Sequence, residues 1–289
     1  MQFSVCICTR NRPQDLYKAL KSLEQSEVPV YQIVVSDDST DLRTKQLLEA
    51  YFPAVRYVPG PKKGLSANRN NALRAVTGTH VLFIDDDVVL ARDFFTRMKQ
   101  AFQEQKEPYG GKLILTGLEN KNGVIIYPHD QTFLGFQNRK YKDGEALNTI
   151  VINSTVFPAQ LFREELFDEQ LIYGYEEVDM ATRAVRRGYP IRLLEGAVNY
   201  HYPSEVNRDY YKPHVETSRL YATFKRYLYT ERKRLKAVAF LMVAFLHTLQ
   251  YGVRSEGKKG FAGAMRSVLG SMGYIRIHRK QGKHSGMSA

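Results

Sequence analysis

The chain has 289 residues, 43% of them hydrophobic, enough for a sizeable core in one domain or one domain with an appendage, so wholesale disorder is excluded. The formal net charge of +12 lies wholly in the last third: residues 1–200 carry 25 Lys and Arg against 25 Asp and Glu, residues 201–289 carry 17 against 5. The two cysteines, Cys6 and Cys8, sit too close on one strand to close a disulfide, which excludes a disulfide framework or a cysteine-based zinc site and points to a reducing compartment.

The first residues, MQFSVCICTR, lack the basic start and long apolar stretch of a secretion signal. Phe3 to Cys8 is a short apolar run of strand formers, followed by Asn11, Arg12 and Pro13 and then a helical spacing of Leu16, Leu20 and Leu23. A second strand, Ile33 to Val35, stops at Ser36-Asp37-Asp38-Ser39, and a helix is expected from Asp41 to Tyr51. Val55 to Val58 makes a third strand, ended by Pro59-Gly60-Pro61; Leu65 to Val76 reads as a helix and Val81 to Ile84 as a fourth strand. Short apolar strands alternating with helices predict βαβ units, hence an α/β fold with a parallel sheet covered on both faces. Residues 116–148, with Asn120, Asn122, Gly123, Asp143 and Gly144, read as loop-rich.

Ligands of such sheets bind beyond the carboxyl ends of the strands. Thr9, Arg10 and Asn11 follow the first strand, Asp37 and Asp38 the second, and Asp85, Asp86 and Asp87 the fourth. Asp37 and Asp38 also suit a turn for local reasons. Three consecutive carboxylates repel one another unless a cation or donors offset them. Asp85 and Asp87 alternate and so can share a side, and oxygen ligands of this kind suit Mg2+ or Mn2+. Neither a GxGxxG nor a GxxxxGK[ST] pattern stands near the first strand, which argues against dinucleotide binding and P-loop chemistry.

TRNRP after the first strand, VVSDDSTD after the second, GLSANRNNAL before the fourth, FIDDD at its end and the later FDEQLIYGYEEVDMATRAVRRGY together resemble the family-2 glycosyltransferases, over roughly residues 1–202. The resemblance implies a GT-A fold, that is, a Rossmann-like, mostly parallel central sheet flanked by helices. It implies a hexosyltransferase-type enzyme with a nucleotide-diphosphate sugar as donor, UDP- or dTDP-linked favoured, a divalent metal, Mn2+ or Mg2+, and direct displacement with inversion. Position by position, it implies that Asp37, with Asp38 beside it, recognises the nucleotide base, that Thr9 and Arg10 line the base pocket, and that Arg69 reaches the nucleotide. Asp85 is implied near the ribose or metal, Asp86 among the nucleotide contacts, and Asp87 on the metal and diphosphate, with His201 completing the metal site. The family's Glu-Asp pair reads Glu176-Glu177 here, so the catalytic base matches Glu177, with Asp179 as the alternative and Glu176 a weaker one. Each position has a plainer reading: an exposed helix arginine at 69, a packed histidine at 201, and an acidic helix N-terminus stabilised by its dipole at 176–179, with Arg183 and Arg186 as surface partners.

The expected organisation is a catalytic domain over 1–205, with a nucleotide-sugar half at about 1–90 and an acceptor half at about 91–205, and a basic helical region over 206–289. In that region Arg232, Lys233, Arg234 and Lys236 precede the apolar run Ala237 to Leu246, which is about half the length a membrane span needs. Beyond Gly252, Lys258, Lys259, Arg266, Arg276, Arg279 and Lys280 interleave with Phe261, Met265, Val268, Leu269 and Ile275. Basic residues flanking apolar helical faces suit an anionic membrane surface; a core helix packed on the catalytic domain is the competing reading. No nucleic-acid motif accompanies the charge, and no nucleic-acid partner is expected. The expectation is a peripheral enzyme on the cytoplasmic face of the cell membrane, acting on a carbohydrate or lipid-linked saccharide acceptor. The competing functions are a sugar-phosphate nucleotidylyltransferase, which needs a Gly-rich phosphate loop that TRNRP lacks, and a silent GT-A-like scaffold with a nucleic-acid-binding tail.

Overall fold

The structure is a computed structural model that describes residues 1–105, 109–204 and 208–284, the side chains of 208–212 and 282–284 excepted. The expected 205/206 boundary lies outside the described residues.

The first half follows the expected βαβ order: β1 (Phe3–Thr9), α1 (Pro13–Glu24), β2 (Gln32–Asp37), α2 (Arg43–Tyr51), β3 (Arg56–Pro59), α3 (Leu65–Leu73) and β4 (His80–Asp85). Strands β3, β2, β1 and β4 lie side by side in that order, all parallel. Every residue of β1 is buried, and its side chains alternate between two cores. Phe3, Val5 and Ile7 join Leu82, Ile84 and helix α1 on one face, while Cys6 joins Val34, Val81 and Phe83 on the other. That two-sided burial is why the strand reads as an unbroken apolar run. Pro13 starts α1, where its missing N–H costs nothing.

The second half adds β5 (Val88–Val89), α4 (Phe94–Glu104), β6 (Ile114–Lys121), β7 (Val124–Ile126), β8 (Asp130–Gln131), β9 (Gln137–Arg139), β10 (Thr155–Pro158), α5 (Leu161–Glu164), α6 (Glu176–Arg186) and β11 (Ile191–His201). The sheet continues from β4 through β10, β6 and β11 to β5. Strand β10 runs antiparallel to both its neighbours, and β5 antiparallel to β11. The stretch read as loop-rich, 116–148, therefore contains most of a central strand. Its Asn and Gly residues mark the turn at Asn122-Gly123, both at positive φ, and not the body of β6, where six of eight residues are buried.

Beyond the sheet lie α7 (Arg208–Lys225), a wide helical turn at Arg226–Thr230, and α8 (Arg234–His284). Helix α8 is two arms: Glu256 (φ −138°) and Gly257 (φ 57°) break it, and the chain turns back on itself. Leu220, Phe224, Tyr227, Ala237, Phe240, Ala244 and Val268 form a small core between α7 and the arms. Phe240 packs edge-on against Phe133, and His247 against Phe136, at the β8–β9 hairpin. A window within 234–281 is long and apolar enough to cross a membrane, with mean hydropathy 1.3; counting only uninterrupted apolar residues missed it. One side of the first arm is nevertheless occupied by this packing against the rest of the chain.

The hairpin depends on glycine. A Cβ on Gly252 would lie 2.5 Å from the Gly260 carbonyl oxygen and 2.9 Å from Ala264 Cβ. Gly252→Leu should therefore force the arms apart and destabilise the hairpin by about 1–3 kcal/mol. Thermal unfolding followed by circular dichroism checks this, with Gly273→Leu as control, since a Cβ at Gly273 meets nothing within 4 Å. An unchanged midpoint for Gly252→Leu would show that the arms do not pack as described.

Candidate active site

Because β1 lies between β2 and β4, the polar residues at their carboxyl ends meet. Thr9 is in register with Asp37, and Cys8 with Asp85. Past the end of β4 the three aspartates diverge. Asp86 turns inward and is fully buried. It accepts hydrogen bonds from Thr9 Oγ1 at 2.6 Å and Arg12 Nε at 3.0 Å, and a second guanidinium nitrogen of Arg12 pairs with it. Burial raises its pKa against the pull of Arg12. Asp86 and Thr9 thus bind each other and brace the loop, with both side chains packed inward.

Asp85 and Asp87 lie together with His201, their ligand atoms all within 4.8 Å of one another. The antiparallel pairing of β5 with β11 sets His201 opposite Val88 and so next to Asp87. His201 Nε2 is 3.2 Å from Asp87 Oδ1, and its Nδ1 is 2.8 Å from Glu119 Oε1. Burial alone would lower the histidine pKa, but hydrogen bonds to the two carboxylates raise it to about 10. Burial raises Asp87 in turn, and His201, Arg12 and the Ser204 N–H outweigh that and hold it below the usual carboxylate range. Asn153 supports the other ligand: its side-chain oxygen accepts from the Asp85 N–H at 2.9 Å while its Nδ2 donates to Glu119 at 2.9 Å. Two carboxylates and an imidazole, the latter backed by an outer carboxylate, form a donor set suited to Mn2+ or Mg2+. As a ligand His201 must release the proton it holds between the two carboxylates.

Helix α6 brings the acceptor-side acids to the same cleft. Two successive residues at positive φ, Gly174 (81°) and Tyr175 (66°), set its start. Glu176 is buried and accepts from Arg69 Nη1 at 2.8 Å. Arg69 is itself only 2% exposed and reaches Asp85 with its other nitrogen at 3.5 Å, so it is an interior clasp and not an exposed helix arginine. Glu177 is half-buried with no ion pair among the described residues. Burial, then the adjoining Glu176 charge, push its pKa up to about 8. Tyr173 stands over the same space, its hydroxyl pushed up to about 12 by burial and by the charges of Asp85 and Glu176.

Asp179, the alternative base, is 3% exposed and held by two cations, Arg183 Nη2 at 2.9 Å and Lys225 Nζ at 3.0 Å. Its carboxylate is thus engaged in ion pairs, whereas Glu177 has none among the described residues. Arg183 is likewise interior, pairing with Glu165 as well. Lys225, from α7, also meets Asp168 at 2.6 Å, and Tyr221 donates to the same carboxylate at 2.6 Å.

At the far side of the cleft, Asp37 accepts from the Ser39 N–H at 2.9 Å, and Asp38 from the Lys62 N–H at 2.7 Å. Burial raises the pKa of Asp38, with Arg10 close enough to oppose it. A Cβ on Gly60 would overlap the Asp38 carboxylate and lie 2.8 Å from Asn68 Oδ1, which is why glycine stands there. Sequence reasoning missed Arg12, Glu119, Asn153, Gly60 and Lys225 as parts of the site. Arg12 and Gly60 sat in the quoted TRNRP and Pro-Gly-Pro segments; the others had no local signal.

The Lys225 pairing is testable. Lys225→Met leaves the buried Asp168 without its cation and Asp179 with Arg183 alone, and should cost about 3–5 kcal/mol, read from urea unfolding. Burial raises Asp168, but Lys225 outweighs it and holds the pKa down to about 2. A depressed folded-state pKa stabilises at neutral pH, and that contribution, roughly 2 kcal/mol, fades as pH falls from about 4 to about 2. The acid-side slope should flatten in Lys225→Met; an unaltered slope would refute the pairing.

Comparison with known proteins gives this geometry its kinship. Residues 4–171, more than half of the chain, match the family model "Glycosyl transferase family 2". An uncharacterized glycosyltransferase, YfnE, of Bacillus subtilis (strain 168) is 24% identical over 253 residues, 70% of this chain and 64% of that protein. A GalNAc(5)-diNAcBac-PP-undecaprenol beta-1,3-glucosyltransferase of Campylobacter jejuni is 32% identical over 123 residues, 39% of this chain and 38% of that one. The chain thus spans less than two thirds of the length of these relatives. Among solved structures, Staphylococcus aureus TarS residues 1–349, also solved with UDP-GlcNAc, superposes with TM-score 0.60 at 18–19% identity, over 93% of this chain and 81–82% of that one. The fold is GT-A, and the chain belongs to glycosyl transferase family 2.

Proposed function

We propose that the chain is a metal-dependent glycosyltransferase that moves a sugar from a nucleoside-diphosphate sugar, UDP- or dTDP-linked, to a hydroxyl of a lipid-linked or polysaccharide acceptor, with inversion. The observation that carries the reading is that Arg69 ties Asp85, a member of the trio Asp85, Asp87 and His201, to Glu176, the residue next to the carboxylate Glu177. The relatives support the substrate classes: the Campylobacter protein is named for a lipid diphosphate acceptor, and TarS was solved with UDP and UDP-GlcNAc.

Asp85, Asp87 and His201 would hold the divalent metal, whose positive charge offsets the negative charge that builds on the departing diphosphate. Glu177 accepts the proton of the acceptor hydroxyl on its carboxylate as that oxygen bonds to the anomeric carbon and the sugar–diphosphate bond breaks. One displacement of this kind inverts the anomeric centre. A carboxylate whose pKa is lifted toward neutrality is a stronger base than an ordinary one, and such a base contributes roughly 10²–10⁴ in rate. Arg69 pairs with Glu176, and the charge of Glu176 helps lift Glu177. Asp37, Asp38 and Arg10 remain the residues for the nucleotide base.

The reading extends to location: a peripheral protein on the cytoplasmic face of the cell membrane, attached through the basic hairpin. Leu235, Val238, Met242 and Leu246 are exposed along one side of the first arm, next to Arg232, Lys233 and Arg234, a combination suited to an anionic interface.

Donor hydrolysis and transfer with a panel of nucleotide sugars, with and without Mn2+, test the chemistry. Asp87→Ala should abolish metal-dependent turnover. Glu177→Gln should keep donor affinity and lower transfer by about 10²–10⁴-fold; full transfer by that variant sinks the base assignment. Since the base works deprotonated, kcat/KM should rise with pH and level off above about 8. Flotation with phosphatidylglycerol vesicles tests attachment, and recovery wholly in the soluble fraction at low salt refutes it.

A further inference from the structure

Between the two arms of α8 runs a groove of about 620 Å³. Leu241 and Phe245 line it from the first arm, and Leu269, Met272 and Ile275 from the second. At one end stand three cations, Arg276, Arg279 and Lys280. On the second arm Leu269, Met272, Gly273, Arg276 and Lys280 recur at three- and four-residue intervals, so they form one stripe that is apolar at one end and cationic at the other. From 269 to 280 the stripe is about 16 Å long. Gly273 keeps the wall open at mid-length, since a side chain there would occupy otherwise vacant space.

We infer that this groove binds one lipid diphosphate, the hydrocarbon chain along the apolar stretch and the diphosphate on Arg276, Arg279 and Lys280. The inference rests on the proposed lipid-linked acceptor, of which this would be the carrier end. Charge complementarity selects the occupant. Three cations within one helical turn suit a head group with two or more negative charges, whereas a bilayer phosphodiester carries one. Guanidinium groups present paired donors that match phosphate oxygens, and among the described residues Arg276 and Arg279 form no salt bridge. Among the described residues that line the groove there is no Asp or Glu. An amphiphile with an anionic head matches both ends at once; a purely apolar partner would leave Arg276 and Arg279 unmatched, and a simple anion would leave the apolar walls uncovered.

The test is binding of farnesyl diphosphate to the full-length protein in detergent-free buffer, measured by titration calorimetry beside inorganic diphosphate, farnesol and phosphatidylglycerol vesicles. Farnesyl diphosphate should bind at least about tenfold more tightly than inorganic diphosphate or farnesol, and both Gly273→Phe, which fills the groove, and the double change Arg276→Ala/Arg279→Ala should weaken it by about tenfold or more. Vesicle binding should survive Gly273→Phe. Nucleotide-sugar hydrolysis should be unchanged in these variants, so failure of the catalytic reading shows separately from failure of the groove. Equal affinity for inorganic diphosphate would reduce the groove to a surface anion site and overturn the inference. So would binding untouched by Gly273→Phe, or a concentration-dependent dimer in sedimentation that Gly273→Phe abolishes, since the occupant would then be a second copy of the chain.

Discussion

A guanidinium taken out of water must find anions, and the buried Arg69 finds them in opposite halves of the molecule. Asp85 closes strand β4, and Glu176 opens helix α6. The Phe83 and Phe167 rings flank the same group at 6.0 and 5.5 Å, so water cannot replace a lost partner. The next residue on α3, Asn70, adds a paired contact, donating to the Phe167 carbonyl and accepting from its N–H, both at 2.9 Å. One turn of helix therefore ties the strand that ends in Asp85 to the helix that carries Glu177. Any motion that separates β4 from α6 must first expose a charge.

The same logic makes the basic region more than an appendage. Its amino-acid composition marks it as separate, and it has a small core of its own. Yet Lys225 and Tyr221 reach across to Asp168 and Asp179, beneath the helix that carries Glu177. The hairpin rests on α7 through Phe240 and Ala244, and through the approach of Tyr274 to Tyr221. The arms are thus two contacts away from the helix that carries Glu177.

The aspartate run shows how one motif divides its labour. Strand geometry sends Asp85 and Asp87 to one side and Asp86 to the other. On the open side the acids meet His201 and Asn153; on the closed side the acid meets Thr9 and Arg12. The inward acid is what holds the first loop, and through Arg12, which also touches Asp87 at 2.9 Å, it steadies the ligand beside it.

Local pattern decided much here. Apolar runs bounded by turn residues marked β1, β2, β3 and β4 and the helices between them; β1, β2 and β4 are largely buried, and a strand buried on both faces needs no information from elsewhere in the chain. Position at strand ends marked Asp37, Asp85 and Asp87 as well, since parallel strands present their carboxyl ends at one edge. Which acid is left with an uncommitted charge was not local. The resemblance matched Glu177 to the base and left Asp179 as the alternative; Asp179 is paired with Lys225, 46 residues later, and Glu177 is not. His201 enters the trio only because the two-residue strand β5 pairs with β11, and Glu119 and Asn153 carry no signature that their neighbours could reveal. The amino-acid sequence by itself determined where charge could gather; only tertiary packing decided which charges are cancelled, because the cancelling partners arrive from distant segments and burial makes their pairing compulsory.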